Sequence, residues 1–521
     1  MRKTLHKPQS KPLFRLGHQC LICMVVICSL VLIGGNLYIS SSSYSLPEKV
    51  DGPLKTTAED LVHTVGKATK PDHLRHQQER IQKQSASDRE GRSNKNRLND
   101  NNGEETVPST DQKYHLIFST SCFYQHDWQS YLFFFQAMTL KQPGNVTRIV
   151  SGCNPTQQEE LQHIHDSQIA TMSDRFHIHF TPEFGKKESK SWQLTKYWNK
   201  PFGVKHWLEN RLGYPHSNDH DDDIVILVDP DMLLQRPFLN DFSQFPDDLW
   251  TRHVQNNPHE RITKVSHGHP IAQDYNFGDV WLESAESNLT HVVGPESPVH
   301  KVTKQEANIF YPAGPPYILT IRDMYRVVVL WSEFLPRLFE VNPQFMAEMY
   351  GYCMAAAHLG LKHQLARGFM VSNIEIGNGE GWYFLNDVKP QQVCQPNLPL
   401  PNVPHVIHFC QRYSIGEFFF SKYRYPDILQ CDMPLIQLPP SDIAAVTNYS
   451  HYGDNSIINY TDDFLGRRFK LRNAFMTCAI LSEMQRASRY YKQRHCPDAN
   501  FNETWNFFVA ERGGKFKPGK R

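Results

Sequence analysis

The strongest constraint on the fold is a run of five apolar residues, Ile224 to Val228, that ends at Asp229-Pro230-Asp231. A short run of mostly β-branched residues predicts a strand buried on both faces, as in a parallel sheet. In open α/β sheets, ligands bind beyond the carboxyl ends of the strands. Two carboxylates at that end are suited to a divalent cation that takes its other ligands from water and phosphate. The stretch therefore indicates a metal-dependent nucleotide-sugar site, with a strand-ending turn as the alternative.

The Asp-x-Asp triplet is a weak signal by itself, because about one or two matches are expected by chance in a chain of this length. Residues 219–223 contain two further matches, and we interpret that run as a solvated loop before the strand. Asp229 and Asp231 differ because they follow a predicted buried strand directly.

The N-terminal region predicts a membrane anchor. Five basic residues precede an apolar stretch over residues 20–39, which has about the 20 residues needed to cross a bilayer. This charge distribution predicts that residues 1–19 form a cytoplasmic tail, with the body luminal, in a single-pass type II arrangement. A cleaved signal peptide is the alternative. Both interpretations place the body in the secretory pathway, with the Golgi or ER membrane as the expected location, and five Asn-x-Ser/Thr sequons agree.

Composition divides the rest of the chain in two. Residues 40–112 are polar with few aromatic residues and cannot bury enough apolar surface to offset chain entropy, so we predict a disordered stem. Residues 113–510 alternate strand and helix patterns, which predicts an α/β fold of Rossmann type with a mostly parallel central sheet. Eight of the eleven cysteines lie in this region; a lumen permits disulfides, but their pairing stays open. The net charge of +1 does not indicate nucleic acid as a partner.

Several short motifs together resemble a known family over about residues 114–430. In chain order they are Phe118-Ser-Thr-Ser-Cys122, Gln142-Pro143-Gly144, Asn199-Lys200-Pro201, Asp229-x-Asp231-Met232, Glu348-Met349-Tyr350-Gly351-Tyr352, Gly360-Leu361-Lys362-His363, His408-Phe409 and Tyr413-Ser414-Ile415-Gly416. In order and spacing they resemble the hydroxyproline O-arabinosyltransferases of plants and the related peptidyl serine α-galactosyltransferases of plants and algae. The family's metal motif is usually Asp-Ala-Asp, whereas this chain has Pro230 at the centre. Residues 270–278 look closer to the serine galactosyltransferases. This match is short, so the donor sugar and the acceptor residue stay open.

The resemblance implies a GT-A-like glycosyltransferase domain. Its expected reaction is metal-dependent and retaining, moving galactose or arabinofuranose from a UDP-sugar to a serine or hydroxyproline hydroxyl. The acceptor would be a secreted or cell-wall polypeptide, and the cofactor Mn²⁺ or Mg²⁺. The alternative is a non-catalytic luminal binding protein of the same fold, against which the retained Asp229 and Asp231 argue.

Three residues are the predicted metal ligands. Asp229 and Asp231 come from the strand-ending triplet, and Asp229 is also expected to act partly through the nucleotide ribose. The resemblance adds His408, because related enzymes often complete the metal site with a C-terminal histidine and a neutral imidazole suits Mn²⁺. A satisfied core histidine is the alternative for His408.

Four further residues are candidates for binding or catalysis. Ser119 and Thr120, at the end of the first predicted strand, are expected to contact the base or ribose, unless they serve ordinary turn chemistry. Lys200 directly precedes the start of a predicted helix and is expected to face the diphosphate, with an exposed surface lysine as the alternative. Glu348 lies in an otherwise apolar stretch. By resemblance it is the predicted catalytic carboxylate, with a buried salt bridge as its alternative and Asp279 as a fallback.

Overall fold

The computed structural model describes residues 113–185, 195–376, 379–395, 402–425, 427–446, 450–452, 457–459 and 463–506. The predicted cytoplasmic tail, anchor and stem, residues 1–112, lie outside these ranges and stay predictions. Within the described ranges, no helix is both long enough and apolar enough to cross a membrane.

The helices and strands of the described residues alternate through the first half of the domain. The α-helices are α1 Gln125–Thr139, α2 Pro155–Ile164, α3 Asn199–Arg211, α4 Arg252–Asn256, α5 Val280–Glu283, α6 Leu289–Val293, α7 Lys304–Phe310, α8 Ile321–Val341, α9 Ala347–His358 and α10 Phe464–His495. The strands are β1 Tyr114–Ser121, β2 Asn145–Ser151, β3 Phe176–Thr181, β4 Ile224–Val228, β5 Met232–Leu234, β6 Ile271–Asp274, β7 Ala313–Thr320, β8 Gln364–Ala366, β9 Met370–Val371, β10 Val406–His408, β11 Tyr413–Ile415, β12 Phe418–Phe420, β13 Leu435–Ile436, β14 Ser450–Tyr452, β15 Ile457–Asn459 and β16 Thr504–Trp505.

The central sheet has seven strands in the order β3-β2-β1-β4-β7-β6-β8 among the described residues. Neighbouring strands from β3 to β4 are parallel, as are β6 and β8. Strand β7 runs antiparallel to both β4 and β6. The predicted α/β class with a mostly parallel sheet is therefore confirmed. The antiparallel β7 was not predicted, because its opening Ala-Gly-Pro-Pro sequence lacks the usual strand signals.

Strand β4 is buried along its whole length, as its apolar run predicted. Val225 and Leu227 pack on the face covered by α3, α8 and α9, where Trp207 and Trp331 also lie. The alternate side chains of β4 pack on the other face against α1 and its phenylalanines. Each fully buried aliphatic side chain of this kind stabilises the fold by roughly 1.5–3 kcal/mol. This burial holds the carboxyl end of β4 in place.

The loop before β4 differs from the predicted solvated loop. Asp223, its last residue, is only 8% exposed. Its carboxylate contacts the side chains of His115 and His220. Asp219 and Asp222 are exposed, as predicted.

Three disulfides connect six of the eight described cysteines. They are Cys122–Cys153, Cys394–Cys478 and Cys431–Cys496. Cys353 and Cys410 form no disulfide. The first bridge joins the segments that follow β1 and β2, on the side of the sheet where β4 reaches Asp229.

Candidate functional site

Asp229, Asp231 and His408 meet beyond the carboxyl end of β4. Each offers one ligand atom, and these atoms lie within 4.8 Å of one another. The backbone explains the contact, because Asp231 leads directly into β5, which pairs antiparallel with β10 so that Met232 lies opposite His408. The N–H of Phe409 also donates to the carbonyl of Asp231 at 2.9 Å. A small three-stranded sheet, β5-β10-β9, thus brings the C-terminal histidine to the strand-ending aspartates.

Asp231 lies between two basic side chains. His408 Nε2 is 3.2 Å from one of its carboxylate oxygens, and Lys422 Nζ is 2.5 Å from the other. Burial opposes ionisation of Asp231, but Lys422 and His408 outweigh it and hold the pKa of this carboxyl well below its usual value. Burial also opposes the charged form of His408, yet neighbouring Cys410 and Asp231 raise the pKa of the imidazole well above its usual value.

The donor set fits the predicted metal. Two carboxylates and one imidazole provide oxygen and nitrogen ligands, a combination suited to Mn²⁺ and acceptable to related divalent ions. The carboxylates of Asp229 and Asp231 already attract the cationic side chains of Lys200 and Lys422. This position therefore favours positive charge. The role of the three residues as ligands stays a prediction.

Lys200 bridges the aspartate pair and Glu348. Its Nζ is 2.7 Å from Asp229 Oδ1 and 3.0 Å from Glu348 Oε2. Burial disfavours the ammonium, but Asp229 and Glu348 outweigh this and raise the pKa of Lys200. Burial raises the pKa of the Glu348 carboxyl, and Lys200 opposes that shift. The side chain of Lys200 is 13% exposed, which excludes the alternative of an exposed surface lysine.

The second carboxylate oxygen of Glu348 has no role in the Lys200 contact. Oε1 is buried and has no hydrogen-bond partner among the described residues. A buried carboxylate oxygen without a partner is costly, because its desolvation is not compensated. The predicted alternative, a buried salt bridge, accounts for Oε2 and leaves Oε1 unexplained.

Two helix starts hold this pair in place. Lys200 lies in the first turn of α3, and Glu348 in the first turn of α9. The indole N–H of Trp331 on α8 donates to the backbone carbonyl of Glu348 at 2.8 Å. A Cβ at Gly351 would lie 3.1 Å from Cδ1 of Trp331. Glycine there lets α9 approach α8 closely and fixes the position of its first turn.

Ser119 and Thr120 bond within the protein. The hydroxyl of Ser119 donates to the carbonyl of Asn199 at 3.5 Å. Thr120 donates to the carbonyl of Ile149 at 3.3 Å and accepts from Arg148 Nε at 3.1 Å. Both are buried, and their bonds reach other elements of the fold rather than the local turn named as the alternative. A nucleotide contact from either hydroxyl stays a prediction.

Lys422 was not singled out from the sequence. It follows β12 in a segment of aromatic and basic residues with no periodicity that distinguishes it. Its contact with Asp231 depends on how the β11–β12 hairpin folds back over the end of β4. Only a signal that joins distant parts of the chain could have identified it.

Four exposed aromatic side chains, called the aromatic rim below, were also missed. They are Phe123, Tyr124, Phe345 and Tyr423, each 46–58% exposed. The ring of Phe123 lies 6.0 Å from that of His126, and Phe345 lies edge-on to Tyr197 at 5.2 Å.

The partners of the rim connect it to the aspartate pair. Burial lowers the pKa of His126 to about 4, and the charges acting on its ring include Asp231 and Lys422. Burial raises the pKa of Tyr197 to about 12, and the neighbouring charges again include Lys422 and Asp231. Two of the rim residues, Phe123 and Phe345, therefore contact side chains on which the charges of Asp231 and Lys422 act, and this associates the rim with the candidate site.

Comparison with known proteins supports the family resemblance. The chain is 23% identical over 428 residues to the peptidyl serine alpha-galactosyltransferase of Arabidopsis thaliana, an alignment that covers 78% of this chain and 41% of the relative. The chain thus spans less than half of that relative's length. The resemblance recognised from the motifs is confirmed on its galactosyltransferase side. No family model matches the chain.

Solved structures give weaker likenesses. The apo WbbM bifunctional glycosyltransferase covers 59% of this chain and 47% of its own at 8% identity. The galactosyltransferase LgtC with donor and acceptor sugar analogs covers 57% of this chain and 87% of its own at 11% identity. Both have a TM-score of 0.29.

Proposed function

We propose that this chain is a metal-dependent, retaining glycosyltransferase of the GT-A type that moves a sugar from a UDP-sugar to a polypeptide hydroxyl. The observation that carries the proposal is the meeting of Asp229, Asp231 and His408 at the end of β4, with Glu348 joined to them through Lys200. The similarity to a serine galactosyltransferase supports galactose and serine as the first donor and acceptor to test. Arabinofuranose and hydroxyproline are the second pair.

Asp229, Asp231 and His408 would hold the Mn²⁺ or Mg²⁺ ion. When bound, such an ion neutralises negative charge on a diphosphate leaving group. Binding to His408 requires its neutral imidazole, so metal binding would displace a proton from this ring. The same residues would select a nucleotide diphosphate over an uncharged sugar.

Lys422 adds a fixed positive charge beside the aspartates. Its ammonium contacts Asp231, and burial fails to lower its pKa because Asp231 and its other neighbours raise it. A cation held at a site from which water is largely excluded attracts a diphosphate more strongly than one in bulk water. We assign Lys422 to the binding of the leaving group, a role that supplements the one predicted for Lys200.

Glu348 is the catalytic residue of the proposal. Lys200 holds one carboxylate oxygen and leaves Oε1 free to face the reacting sugar. A carboxylate near the anomeric carbon stabilises the positive charge that develops there as the leaving group departs. Lys200 acts as a positioning residue. Its ammonium contacts both Asp229 and Glu348, and its positive charge favours the ionised form of Glu348.

The aromatic rim supports a polypeptide acceptor. Exposed aromatic rings at the mouth of a site pack well against an extended peptide, and against proline-type rings in particular. The three disulfides are consistent with an oxidising compartment. Together with the N-terminal pattern, they support a type II protein of the Golgi or ER membrane with its domain in the lumen.

The test is a donor and acceptor panel. Full-length protein with Mn²⁺ is incubated with UDP-galactose or UDP-arabinofuranose and with peptides that carry serine or hydroxyproline, and products are identified by mass spectrometry. We expect turnover of one donor that EDTA abolishes and Mn²⁺ restores. Full activity in EDTA would contradict the metal role. Absence of both turnover and UDP binding by calorimetry would favour the non-catalytic alternative.

A further inference from the structure

The amino end of the central sheet holds a second group of metal-ligand side chains. His115 is the second residue of β1, Asp223 directly precedes β4, and His220 lies on the loop before it. Because β1 and β4 are parallel neighbours with His115 opposite Val225, these side chains lie together at the amino end of the two strands. The five residues of β4 separate this group from Asp229, so Asp223 and Asp229 lie roughly 20 Å apart at the usual rise of a strand.

The three side chains converge on a single point. His115 Nε2 lies 3.2 Å from Oδ2 of Asp223, and His220 Nδ1 lies 2.7 Å from the same oxygen. All three ligand atoms lie within 4.8 Å of one another. His115 and Asp223 are buried, at 4% and 8% exposure, whereas the side chain of His220 is 26% exposed.

We propose that His115, His220 and Asp223 bind a divalent transition-metal ion of the zinc type, with water as the remaining ligand. Two imidazole nitrogens and one carboxylate oxygen form a ligand set that zinc binds readily. Zinc–ligand bonds of about 2.0–2.2 Å place neighbouring ligand atoms of a tetrahedral site roughly 3.3–3.5 Å apart. The 3.2 Å between His115 and Asp223 is close to that spacing.

The exposed side of the group provides access. His220 lies on a loop, so its ring can move outward by the small distance that a metal between it and Asp223 requires. The same loop carries Asp219, Asp221 and Asp222, whose negative charge raises the local concentration of cations. Asp221 accepts a hydrogen bond from the hydroxyl of Tyr214 at 2.9 Å and is not needed as a ligand.

The bound ion would be structural. It would connect β1, the start of β4 and the loop that leads to it, at the end of the sheet opposite the candidate active site. The competing arrangement is a metal-free group in which both imidazoles donate N–H bonds to Asp223. The two arrangements differ in zinc content and in the response of stability to zinc, and neither readout depends on the proposed enzymatic activity.

The experiment compares zinc binding by full-length variants. EDTA-treated protein is supplied with ZnCl₂, freed of unbound metal and analysed for zinc per folded chain, with thermal unfolding recorded in parallel. Asp223→Asn and His220→Gln remove a ligand from the proposed site. His216→Gln, an exposed histidine on the same loop, is the matched control, and Asp231→Asn removes a ligand at the other end of the sheet.

We expect Asp223→Asn and His220→Gln each to bind about one zinc ion fewer than wild type. His216→Gln and Asp231→Asn should retain that ion and the rise in unfolding temperature that zinc produces. His220→Gln keeps the test decisive if Asp223→Asn fails to fold, because His220 is partly exposed. Zinc content equal to wild type in His220→Gln would overturn the proposal and leave a hydrogen-bonded group.

Discussion

The two ends of β4 collect polar side chains in different ways. At the carboxyl end, Asp229 and Asp231 meet cations and carboxylates from distant parts of the chain, including Lys200, Glu348 and Lys422. At the amino end, Asp223 meets only two histidines, the distant His115 on β1 and the neighbouring His220 on its own loop, and neither lysine nor arginine is among the converging side chains.

The two ends of β4 are therefore suited to different ligands. Aspartates paired with lysine cations, and a Glu348 oxygen without a hydrogen-bond partner among the described residues, suit an anionic, exchanging substrate, with exposed aromatic rings nearby. Two imidazoles around one carboxylate, packed against Trp207, suit a small resident cation. One strand thus separates a site suited to turnover from one suited to stability.

The largest expected effect distinguishes the two ends directly. Asp231→Ala should lower kcat/KM by about a thousandfold, or about 4 kcal/mol, because it removes a predicted metal ligand. Asp223→Asn should leave turnover within about twofold and instead lower the free energy of unfolding by about 1–3 kcal/mol. Initial rates with UDP-galactose and denaturant unfolding measure both. If both variants lose activity alike, the division between the two ends is wrong.

The next effect concerns the free oxygen of Glu348. Glu348→Gln keeps the shape but removes the charge, and we expect kcat to fall by about a hundredfold with little change in the donor KM. Glu340→Gln, an exposed glutamate on α8, is the control and should behave as wild type. A Glu348→Gln variant with normal kcat would assign this residue to structure alone.

Lys200 should act through Glu348. Lys200→Met is expected to lower kcat by about tenfold to thirtyfold, because the carboxylate loses the partner that holds it. The double variant with Glu348→Gln should lose much less than the product of the two single effects, since contacting residues are energetically coupled. A double-mutant cycle of kcat measures this. Additive losses would show that the Lys200–Glu348 contact has no part in the reaction.

The smallest effect tests the aromatic rim. Tyr423→Ala and Phe123→Ala should each raise the KM for a peptide acceptor by about 2–10-fold, as expected for an aromatic contact of about 0.5–1.5 kcal/mol. The donor KM and UDP-sugar hydrolysis without acceptor should not change. Phe464→Ala, which removes another exposed aromatic ring at the start of α10, is the control. An unchanged acceptor KM in both rim variants would exclude the rim from acceptor binding.

Much of the secondary structure could be predicted from local patterns. The apolar run over residues 224–228 became β4, the strand predicted to end at Ser119 and Thr120 became β1, and the helix predicted at Lys200 became α3, because each element is defined by its own residues. The antiparallel β7 and the three-residue strand β5 were harder. Both take extended structure mainly from the neighbours with which they pair.

The candidate site shows the same limit. The aspartate pair was identified from its position after a buried strand, and the motif resemblance added His408 and Glu348. Thr120 illustrates the converse, because a strand-ending hydroxyl in the expected place bonds to Arg148 instead of facing outward. Lys422 had no local signal at all.

Local sequence patterns were sufficient to predict the buried β4 strand, the two aspartates that end it and the alternation of strands and helices around it. Tertiary structure alone decided that His408 lies opposite Met232, that Lys200 joins Asp229 to Glu348, and that His115 meets Asp223 at the other end. The physical reason is that strand and helix patterns express local burial. Contacts between distant side chains depend on which strands pair, in which register, and on which face each side chain lies.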